Sequence, residues 1–395
     1  MRKGWEIKKL TEVCEFYNGQ AHENNIEEKG KYILINSKFI SSDATSYKRT
    51  NDALSPLFKG DIVMVMSDVP NGKALAKCFL VDKNDSYTLN QRICAIRSKS
   101  FDLKFLFYQL NRNKYLLDFN NGENQTNLRK NDILNCPLLI PPLPEQKRIV
   151  SILDKAFAVI HKAKANTEKN LQNAKELSER YLENIFANST EDWVEIKINE
   201  VCELKSGTTI SPSLERSQGD VLYAKVAEMN LPENLIEINS SSRFVNSNEI
   251  NMNQIIPEGS IIFPKRGGAI ATNKKRKIIK PTIVDLNTMA IIPGKKIDKD
   301  FLYHWFKLID LNKISNGTSI PQINNYSFDE IYISFPKSLE QQKKIVDKLD
   351  TLFCETKKLE ILYQEKLDDL EELRKSILQK AFNGELTSVT TNIVA

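Results

Sequence analysis

The 395-residue chain is poor in the residues that build metal centres and disulfide frameworks. It has three histidines, none at zinc-ligand spacing, and six cysteines without a Cys-x-x-Cys pair. Such scattered cysteines are typical of free thiols in a reducing compartment. No run approaches ~20 uninterrupted apolar residues, and the charged N-terminus has no apolar signal core behind it. We therefore expect a cytoplasmic protein without a metal site, a disulfide or a membrane span.

Motifs for three kinds of catalysis are also missing. There is no Gly-x-x-x-x-Gly-Lys-Ser/Thr loop, so we do not expect this chain to hydrolyse ATP. The proline pair 141–142 lies between Ile140 and Leu143, so it does not match the Asn/Asp-Pro-Pro-aromatic motif of adenine methyltransferases. The Glu-x-Lys triplets at Glu6 and Glu195 lack the preceding Pro-Asp of a nuclease centre. We expect no catalytic residue and no bound cofactor in this chain.

The charge of the chain is nearly balanced. Its 56 basic and 51 acidic residues give a net charge of +5. That value permits a nucleic-acid partner but does not by itself indicate one, so the positions of the charges matter more than their sum.

The chain does contain a long internal repeat. Trp5 and Trp193, Gly19 and Gly207, and the two Glu-Val-Cys-Glu runs are each 188 residues apart. Later landmarks are 196 residues apart: Asp102 and Asp298, Leu153-Asp154 and Leu349-Asp350, Phe157 and Phe353, and Phe186 and Phe382. A period of roughly 190 residues is too long for a solenoid repeat. It indicates a duplicated module, and therefore a molecule with pseudo-twofold symmetry.

Each copy ends in a segment without glycine or proline, residues 145–187 and 340–383. Apolar residues recur there at steps of three and four, which is typical of amphipathic helices that pair as coiled coils. The capping-box spacing of Ser338 and Gln341 marks the second start, and Gly384 marks the second end. Roughly 43 residues at ~1.5 Å each give a rod of about 65 Å. We expect the two rods to pair antiparallel.

The remaining halves of the chain mix short strands and helices. Apolar runs that follow Gly60 and Gly259 predict strands, and amphipathic runs near residues 101–110 and 300–308 predict helices. The predicted fold class is α+β, with two globular domains joined by two long antiparallel helices. The predicted boundaries are 1–143 for the first domain, 144–190 for the central helix, 191–338 for the second domain, 339–384 for the C-terminal helix, and 385–395 for the tail.

In each globular domain, the segment after the apolar strand is suited to nucleic acid. Residues 264–277 carry six basic residues, no acidic residue and a glycine pair, whereas residues 68–77 are much less basic. Basic side chains neutralise phosphates, and Asn or Arg can contact base edges. The candidates are Asn71, Lys73 and Lys77 in the first copy, and Lys265, Arg266, Asn273, Lys274, Lys275 and Arg276 in the second. The alternative is a solvated hairpin tip.

A second segment in each domain is rich in amides, residues 120–130 and 316–325. Asn and Gln can hydrogen-bond adenine bidentately, and Arg can do so with guanine. The candidates are Gln125, Arg129 and Lys130 in the first copy, and Gln322 and Asn324 in the second. The alternative is an ordinary turn with capping amides.

The ends of the modules carry longer motifs. Pro-Pro-Leu-Pro-Glu-Gln-Lys-Arg-Ile-Val begins at Pro141, and Leu-Glu-Gln-Gln-Lys-Lys-Ile-Val begins at Leu339, where Phe-Pro-Lys replaces the preceding Pro-Pro-Leu. The chain also has the Trp5 and Trp193 openings and an Ala-Phe-Asn-Gly-Glu-Leu ending from Ala381. In these motifs and in its layout, nearly the whole chain resembles the specificity subunits of type I restriction–modification systems.

The resemblance implies a function and a set of partners. Each globular domain would be a target-recognition domain that recognises one half of a split site in double-stranded DNA, and the helices would set the gap. The helices would also dock two modification subunits, which carry S-adenosylmethionine and methylate adenine. Restriction subunits that use ATP and Mg²⁺ would complete the complex. This chain itself would be non-catalytic.

Other interpretations remain open at this point. A coiled-coil adaptor that binds only proteins would have no affinity for DNA, and the cationic segment 265–277 argues against it. A self-contained restriction–modification enzyme would need the motifs that are missing. A specificity subunit of a related system with different cutting partners would have the same sequence features.

Overall fold

The computed structural model describes residues 4–22, 25–69, 72–188, 192–317 and 320–387. These residues form two compact units. Unit 1 contains the chain up to Thr167 together with the chain from Lys366 onward, and unit 2 runs from Glu168 to Glu365. Each unit therefore contains one globular domain and a part of both long helices.

Unit 1 consists of short strands, short helices and parts of the two long helices. Its strands are β1 (Glu6–Lys9), β2 (Glu15–Asn18), β3 (Tyr32–Ile35), β4 (Lys48–Thr50), β5 (Ile62–Val65), β6 (Ser67–Asp68), β7 (Cys78–Leu80), β8 (Tyr87–Leu89), β9 (Ile93–Arg97), β10 (Thr126–Asn127) and β11 (Pro137–Ile140). Its helices are α1 (Leu10–Val13), α2 (Ser37–Ser41), α3 (Leu103–Leu110), α4 (Lys114–Leu117), α5 (Lys130–Leu134) and the first part of α6 (Leu143–Ala187).

Unit 2 repeats this order with more 3₁₀ turns. Its strands are β12 (Trp193–Lys197), β13 (Cys202–Ser206), β14 (Val221–Ala224), β15 (Glu237–Ile238), β16 (Phe244–Val245), β17 (Ile261–Pro264), β18 (Arg276–Ile278), β19 (Thr282–Val284), β20 (Thr288–Pro293) and β21 (Tyr332–Pro336). Its α-helices are the last part of α6, α7 (Ile198–Val201), α8 (Lys299–Lys307), α9 (Leu311–Ile314) and the first part of α10 (Leu339–Phe382). The last part of α10 belongs to unit 1. Its 3₁₀ turns are Pro212–Leu214, Glu228–Asn230, Pro232–Asn234, Ser247–Glu249, Met252–Gln254, Gly267–Thr272 and Asn325–Phe328.

The sheets of the two units share a common strand order. The order β2-β9-β5-β7 in unit 1 corresponds to β13-β20-β17-β18 in unit 2, where β15 adds a fifth strand, and β4-β3-β8 corresponds to β16-β14-β19. In both three-stranded sheets one pair is antiparallel and the other parallel. The first and last strands of each domain also pair, β1 with β11 and β12 with β21. The α+β prediction and the internal repeat are thus confirmed.

Both long helices begin and end close to the signals in the sequence. Helix α6 begins at Leu143, directly after the proline pair. Ahead of α10, the Ser338 hydroxyl accepts from the Gln341 amide at 3.4 Å. After α10, Gly384 has a left-handed φ of +77°, and the Glu385 amide donates back to the Lys380 carbonyl at 2.9 Å. A glycine in this conformation is a common end for a helix because it has no Cβ to strain.

The long helices run antiparallel in each unit, as predicted. In unit 1, Glu145 near the start of α6 accepts from the Thr387 hydroxyl beyond the end of α10, at 2.7 Å. Further along α6, the Phe157 ring lies 5.2 Å from the guanidinium of Arg374, which is earlier in α10. In unit 2, late residues of α6 such as Tyr181 line a groove together with early residues of α10.

A buried glutamine joins each globular domain to its long helix. Gln146 of α6 accepts from the Asp102 amide at 2.9 Å and donates to the Pro141 carbonyl at 2.8 Å. Gln342 of α10 makes the equivalent bonds, to the Asp298 amide at 2.7 Å and to the Pro336 carbonyl at 2.8 Å. Both side chains are almost fully buried, at 1% and 0% exposure. The Glu-Gln and Gln-Gln motifs at the helix starts therefore have a structural role.

An aspartate eight residues, or about two turns, further along each helix makes a second connection, to a different partner in each unit. The Tyr108 hydroxyl of α3 donates to Asp154 at 2.6 Å. In unit 2 the equivalent bond joins His304 Nε2 of α8 to Asp350 at 2.8 Å. His304 is 4% exposed, and burial lowers its pKa. Its Nδ1 has no hydrogen-bond partner among the described residues, which is consistent with a neutral ring that donates from Nε2.

The cysteines are free thiols, and burial raises the pKa of Cys94, Cys136 and Cys202 to about 12. In the described ranges, no group of histidine, cysteine and acidic side chains could hold a metal ion. The helices of the same ranges include none that is long and apolar enough to cross a membrane.

Candidate nucleic-acid interface

In unit 1 the two segments that were predicted to contact DNA lie side by side. Strand β6 follows directly after the core strand β5 and pairs antiparallel with β10. The Leu128 amide extends this pairing by donating to the Met66 carbonyl at 2.7 Å. We call the resulting surface, residues 67–68 and 125–130, edge 1.

Unit 2 brings its two predicted segments together in the same way. The Ile323 amide donates to the Lys265 carbonyl at 2.8 Å, at the position equivalent to the hydrogen bond just described in unit 1. A β-bridge joins Arg266 to Gln322. We call this surface, residues 265–267 and 320–326, edge 2. Each edge thus extends the end of a buried core strand, β5 or β17.

A capped turn begins near the end of each edge and fixes its polar segment. The Arg129 amide donates to the Asp132 carboxylate at 2.7 Å. The Asn324 amide donates to the Ser327 hydroxyl at 3.2 Å. Side-chain acceptors at this position satisfy backbone N–H groups at the start of a short helix. Asp132 and Ser327 cap these turns, and Asn324 completes a capping box with Ser327. Asn120 and Asn121 also accept from the backbone amides of Gly122 and Glu123, so part of the amide-rich segment has the capping role that the alternative interpretation gave it.

Most candidate side chains of unit 1 reach the surface. The exposed ones are Lys73, Gln125, Arg129 and Lys130. Gln125 donates from its amide to the Ser67 hydroxyl at 2.8 Å, on the other segment of edge 1. Lys77 is half-buried and pairs with Asp43 at 2.8 Å. Asn71 lies outside the described residues. That these side chains contact DNA stays a prediction.

Asp68, the one acidic residue of edge 1, accepts hydrogen bonds from backbone amides. The Asp68 carboxylate accepts from the amides of Ala74 at 2.7 Å and Leu75 at 3.1 Å. A Cβ added at Gly72 would lie 2.2 Å from that carboxylate. Asp68 therefore shapes the loop that carries Lys73.

In unit 2, four candidates lie at or near edge 2. Arg266 is exposed, and Gln322 and Asn324 are half-buried. Lys265 donates to the Ser206 hydroxyl at 2.9 Å, and its pKa is lowered, first by burial and then by the neighbouring Arg266. A negatively charged partner near Lys265 would favour its charged form.

The cationic run of unit 2 is not one solvated loop. Lys274 donates to the side chain of Asn230. Lys275 and Arg276 are 5% and 8% exposed, and both donate to backbone carbonyls. Asn273 is half-buried and accepts hydrogen bonds within the protein. Part of the positive charge of this loop is therefore buried. The sequence did not predict this burial, because a run of charged residues gives no signal for it.

Edge 2 also presents two exposed residues, one apolar and one aromatic, that were not among the predicted contacts. Ile320 is 59% exposed and Tyr326 is 60% exposed. The available signal was an apolar residue inside a polar segment, without a periodic partner that would place it in the core. Such side chains suit the thymine methyl group or the face of a sugar.

The comparisons with known proteins agree on one family. A family model for the type I restriction modification DNA specificity domain matches the chain twice, over residues 2–170 and 190–367. The type I restriction enzyme MjaVIII specificity subunit of Methanocaldococcus jannaschii is 24% identical over 412 residues, which cover 97% of this chain and 93% of the relative. The type I restriction enzyme EcoDI specificity subunit of Escherichia coli is 24% identical over 419 residues, covering 97% and 89%.

Solved structures share the fold. The HsdS subunit from Thermoanaerobacter tengcongensis matches with a TM-score of 0.61 and 18% identity over 98% of each chain. A chain from a structure on complex assembly and conformational transition of the type I R-M system matches with a TM-score of 0.77 and 18% identity, over 98% of this chain and 99% of the other. Because the two matches of the family model together span most of the chain, the protein belongs to the family of type I restriction–modification specificity subunits.

Proposed function

We propose that this chain selects the DNA target of a type I restriction–modification complex, with edge 1 and edge 2 each contacting one half of a bipartite site in double-stranded DNA. The observation that carries the proposal is the repeated edge. In both units a core strand ends beside an amide-rich segment, and the side chains presented there differ. Two copies of one frame suit a partner with two related but different features.

The chemistry of the edges is suited to base recognition. Edge 1 presents Gln125 and Arg129, and edge 2 presents Arg266 and Gln322. Amide side chains match the donor and acceptor of adenine in the major groove, and guanidinium groups match the two acceptors of guanine. Exposed lysines near the edges would contact phosphates, which position the duplex and make binding depend on salt.

The long helices offer surfaces for partner proteins. Val159 of α6 is 69% exposed and Leu362 of α10 is 55% exposed. Exposed apolar side chains contribute to a docking surface where they form one patch surrounded by polar residues. We assign these surfaces to two modification subunits that carry S-adenosylmethionine and methylate adenine. Restriction subunits with ATP and Mg²⁺ would complete the complex, which would act on DNA in the cytoplasm.

In this proposal the chain contributes no catalytic residue and holds no cofactor. Its helices act as spacers between the two half-sites. Removing four residues from one helix should therefore change the gap of the recognised site and leave both half-sites as they are. Altered half-sites after that deletion would contradict the spacer role.

The test is a genome-wide map of methylated adenines in cells with and without this gene, with the modification partner present in both. We expect one split motif, two short halves at a fixed gap, to disappear with the gene. An unchanged map, together with no DNA binding by the purified complex, would overturn the proposal in favour of a coiled-coil adaptor.

A further inference from the structure

The basic loop of unit 2, residues 265–274, is fastened by a lysine that does not reach the surface. Lys275 is 5% exposed. Its ammonium group donates to the Ile309 carbonyl at 2.5 Å and to the side-chain oxygen of Asn273 at 2.9 Å. It also lies 5.5 Å from the centre of the Phe306 ring. Lys275 thus connects the end of the loop to the turn between α8 and α9.

Asn273 makes the second connection to the same turn. Its side-chain oxygen accepts from the Leu311 amide at 3.0 Å, in addition to the ammonium of Lys275. Its backbone is left-handed, with a φ of +49°, a conformation that asparagine tolerates better than most residues. We call these two residues and their hydrogen bonds the Lys275–Asn273 clamp.

The loop end is also held from its other side. Arg276 donates to the Met229 carbonyl at 3.0 Å, and Lys274 donates to the side chain of Asn230. The end of loop 265–274 is therefore held on one side by the turn between α8 and α9, and on the other by the segment around Met229.

In unit 1 the equivalent loop is also held by hydrogen bonds, but the side chains that make them come from the turn and not from the loop. Arg112, in the turn between α3 and α4, donates to the carbonyls of Lys73 at 2.9 Å and Leu75 at 3.2 Å. Asn111 in the same turn accepts from the Cys78 amide at 3.0 Å. Here the turn supplies the side chains and the loop supplies backbone groups, whereas in unit 2 the loop supplies the side chains. Both units therefore hold this loop against the turn that follows α3 or α8, but they use different groups to do so.

The clamp has an energetic cost. Burial lowers the pKa of Lys275 to about 8, because the charged amine loses its solvation. A buried ammonium is tolerated only when its N–H groups are hydrogen-bonded. The bonds to Ile309 and Asn273 are therefore needed to keep Lys275 in place, and they hold the loop at the same time.

We propose that Lys275 and Asn273 are positioning residues for the half-site that unit 2 recognises, fixing the loop that carries Arg266 without touching DNA. This inference rests on the proposed function. Base contacts require donors and acceptors placed to about 0.5 Å. Attraction to phosphates tolerates larger displacements, because it is long-ranged and independent of sequence. Loss of the clamp should therefore lower base discrimination in one half-site and leave the salt dependence of binding as it is.

Four variants distinguish loss of the clamp from a general loss of stability. Lys275→Met removes the donors at similar length, and Lys275→Arg keeps them. Asn273→Gly keeps the left-handed backbone and removes only the acceptor, so the test survives if Lys275→Met does not fold. Lys307→Met is the matched control: burial also lowers the pKa of Lys307 to about 8, but its ammonium lies 3.7 Å from the Phe353 ring of α10.

Binding of the complex with its modification partner is measured on DNA in which each half-site is randomised in turn, at several salt concentrations. Lys275→Met and Asn273→Gly should lower the preference in one half-site on the order of tenfold, about the worth of one base contact. The other half-site and the salt slope should match the wild type. Lys275→Arg should recover part of the preference, and Lys307→Met should leave it unchanged.

Two results would overturn the inference. One is an unchanged preference in a folded clamp variant. The other is a salt slope lowered by about one, which would place Lys275 on a phosphate. A wild-type complex without preference in either half-site would instead overturn the proposed function, and the inference with it.

Discussion

Unit 1 and unit 2 use one frame to present different side chains. Their sheets share a strand order, to which unit 2 adds β15, and their first and last strands pair in the same way. Their edges arise at equivalent positions but carry Gln125 and Arg129 in one unit, and Arg266 and Gln322 in the other. The buried glutamine and its hydrogen bonds to the domain are the same in both units, whereas the side chains at the edges differ.

The connections between domain and helix refine this comparison. The glutamine is the same in both units, and so is the aspartate, but the partner of the aspartate is Tyr108 in unit 1 and His304 in unit 2. The two units can therefore respond differently to pH while they share a fold. Single substitutions at equivalent positions test how far the equivalence extends.

The largest expected effect is at the repeated glycines. A Cβ added at Gly19 would lie 2.0 Å from the Asn90 carbonyl oxygen, and one at Gly207 would lie 2.0 Å from the Asp285 carbonyl oxygen. Because backbone must move, Gly19→Ala and Gly207→Ala should each cost about 3 kcal/mol or more of unfolding free energy, measured in denaturant. Gly268→Ala, with nothing within 4 Å, is the control and should change little. Clearly unequal losses would break the equivalence of the two frames.

The next effect is at the buried glutamines. Gln146→Leu leaves a backbone amide and a carbonyl without their side-chain partner, and Gln342→Leu leaves an amide and two carbonyls. We expect a loss of about 2 kcal/mol for each, the usual cost of unsatisfied buried groups. Thermal unfolding of the purified chain measures it, with exposed Gln341→Leu as the control. A loss no larger than that of the control would show that the motif does not fasten the domain to the helix.

The smallest effect is a difference in acid sensitivity. Because the pKa of His304 is lowered by burial, the unfolded chain binds a proton near pH 6.5 that the folded chain does not. This stability is present above pH 6.5 and is lost as the pH falls from there toward the folded pKa of His304. His304→Tyr, which copies unit 1, should remove part of the loss, at most about 1.4 kcal/mol per pH unit.

Unfolding in denaturant at pH 7.5, 6.5 and 5.5 measures this loss. Tyr108→His should import the same acid sensitivity into unit 1. Equal slopes for the wild type and His304→Tyr would show that His304 is not the source of the difference between the units.

The sequence was sufficient for the frame but not for the edges. The offset repeats and glycine-free segments predicted the duplicated α+β domains and both long helices, because periodicity records which face is buried. The contact between residues near Met66 and Leu128 depends on backbone hydrogen bonds between distant parts of the chain, which leave no mark in composition. The burial of Lys275 and Arg276 could not be predicted for a related reason. A run of charged residues predicts an exposed loop, and only the packing shows that these two side chains donate to buried carbonyl groups.

The most direct test of the account is the methylation motif specified by edge variants. The complex is reconstituted with wild-type chain, with Gln125→Ala/Arg129→Ala in edge 1, or with Arg266→Ala/Gln322→Ala in edge 2. Lys280→Ala, an exposed lysine beyond the far end of β18, serves as the control. The account predicts that each double variant relaxes one half of a split motif, a different half for each edge, while the gap and the control stay as in the wild type. Relaxation of the same half by both variants, or an unchanged motif in both, would contradict it.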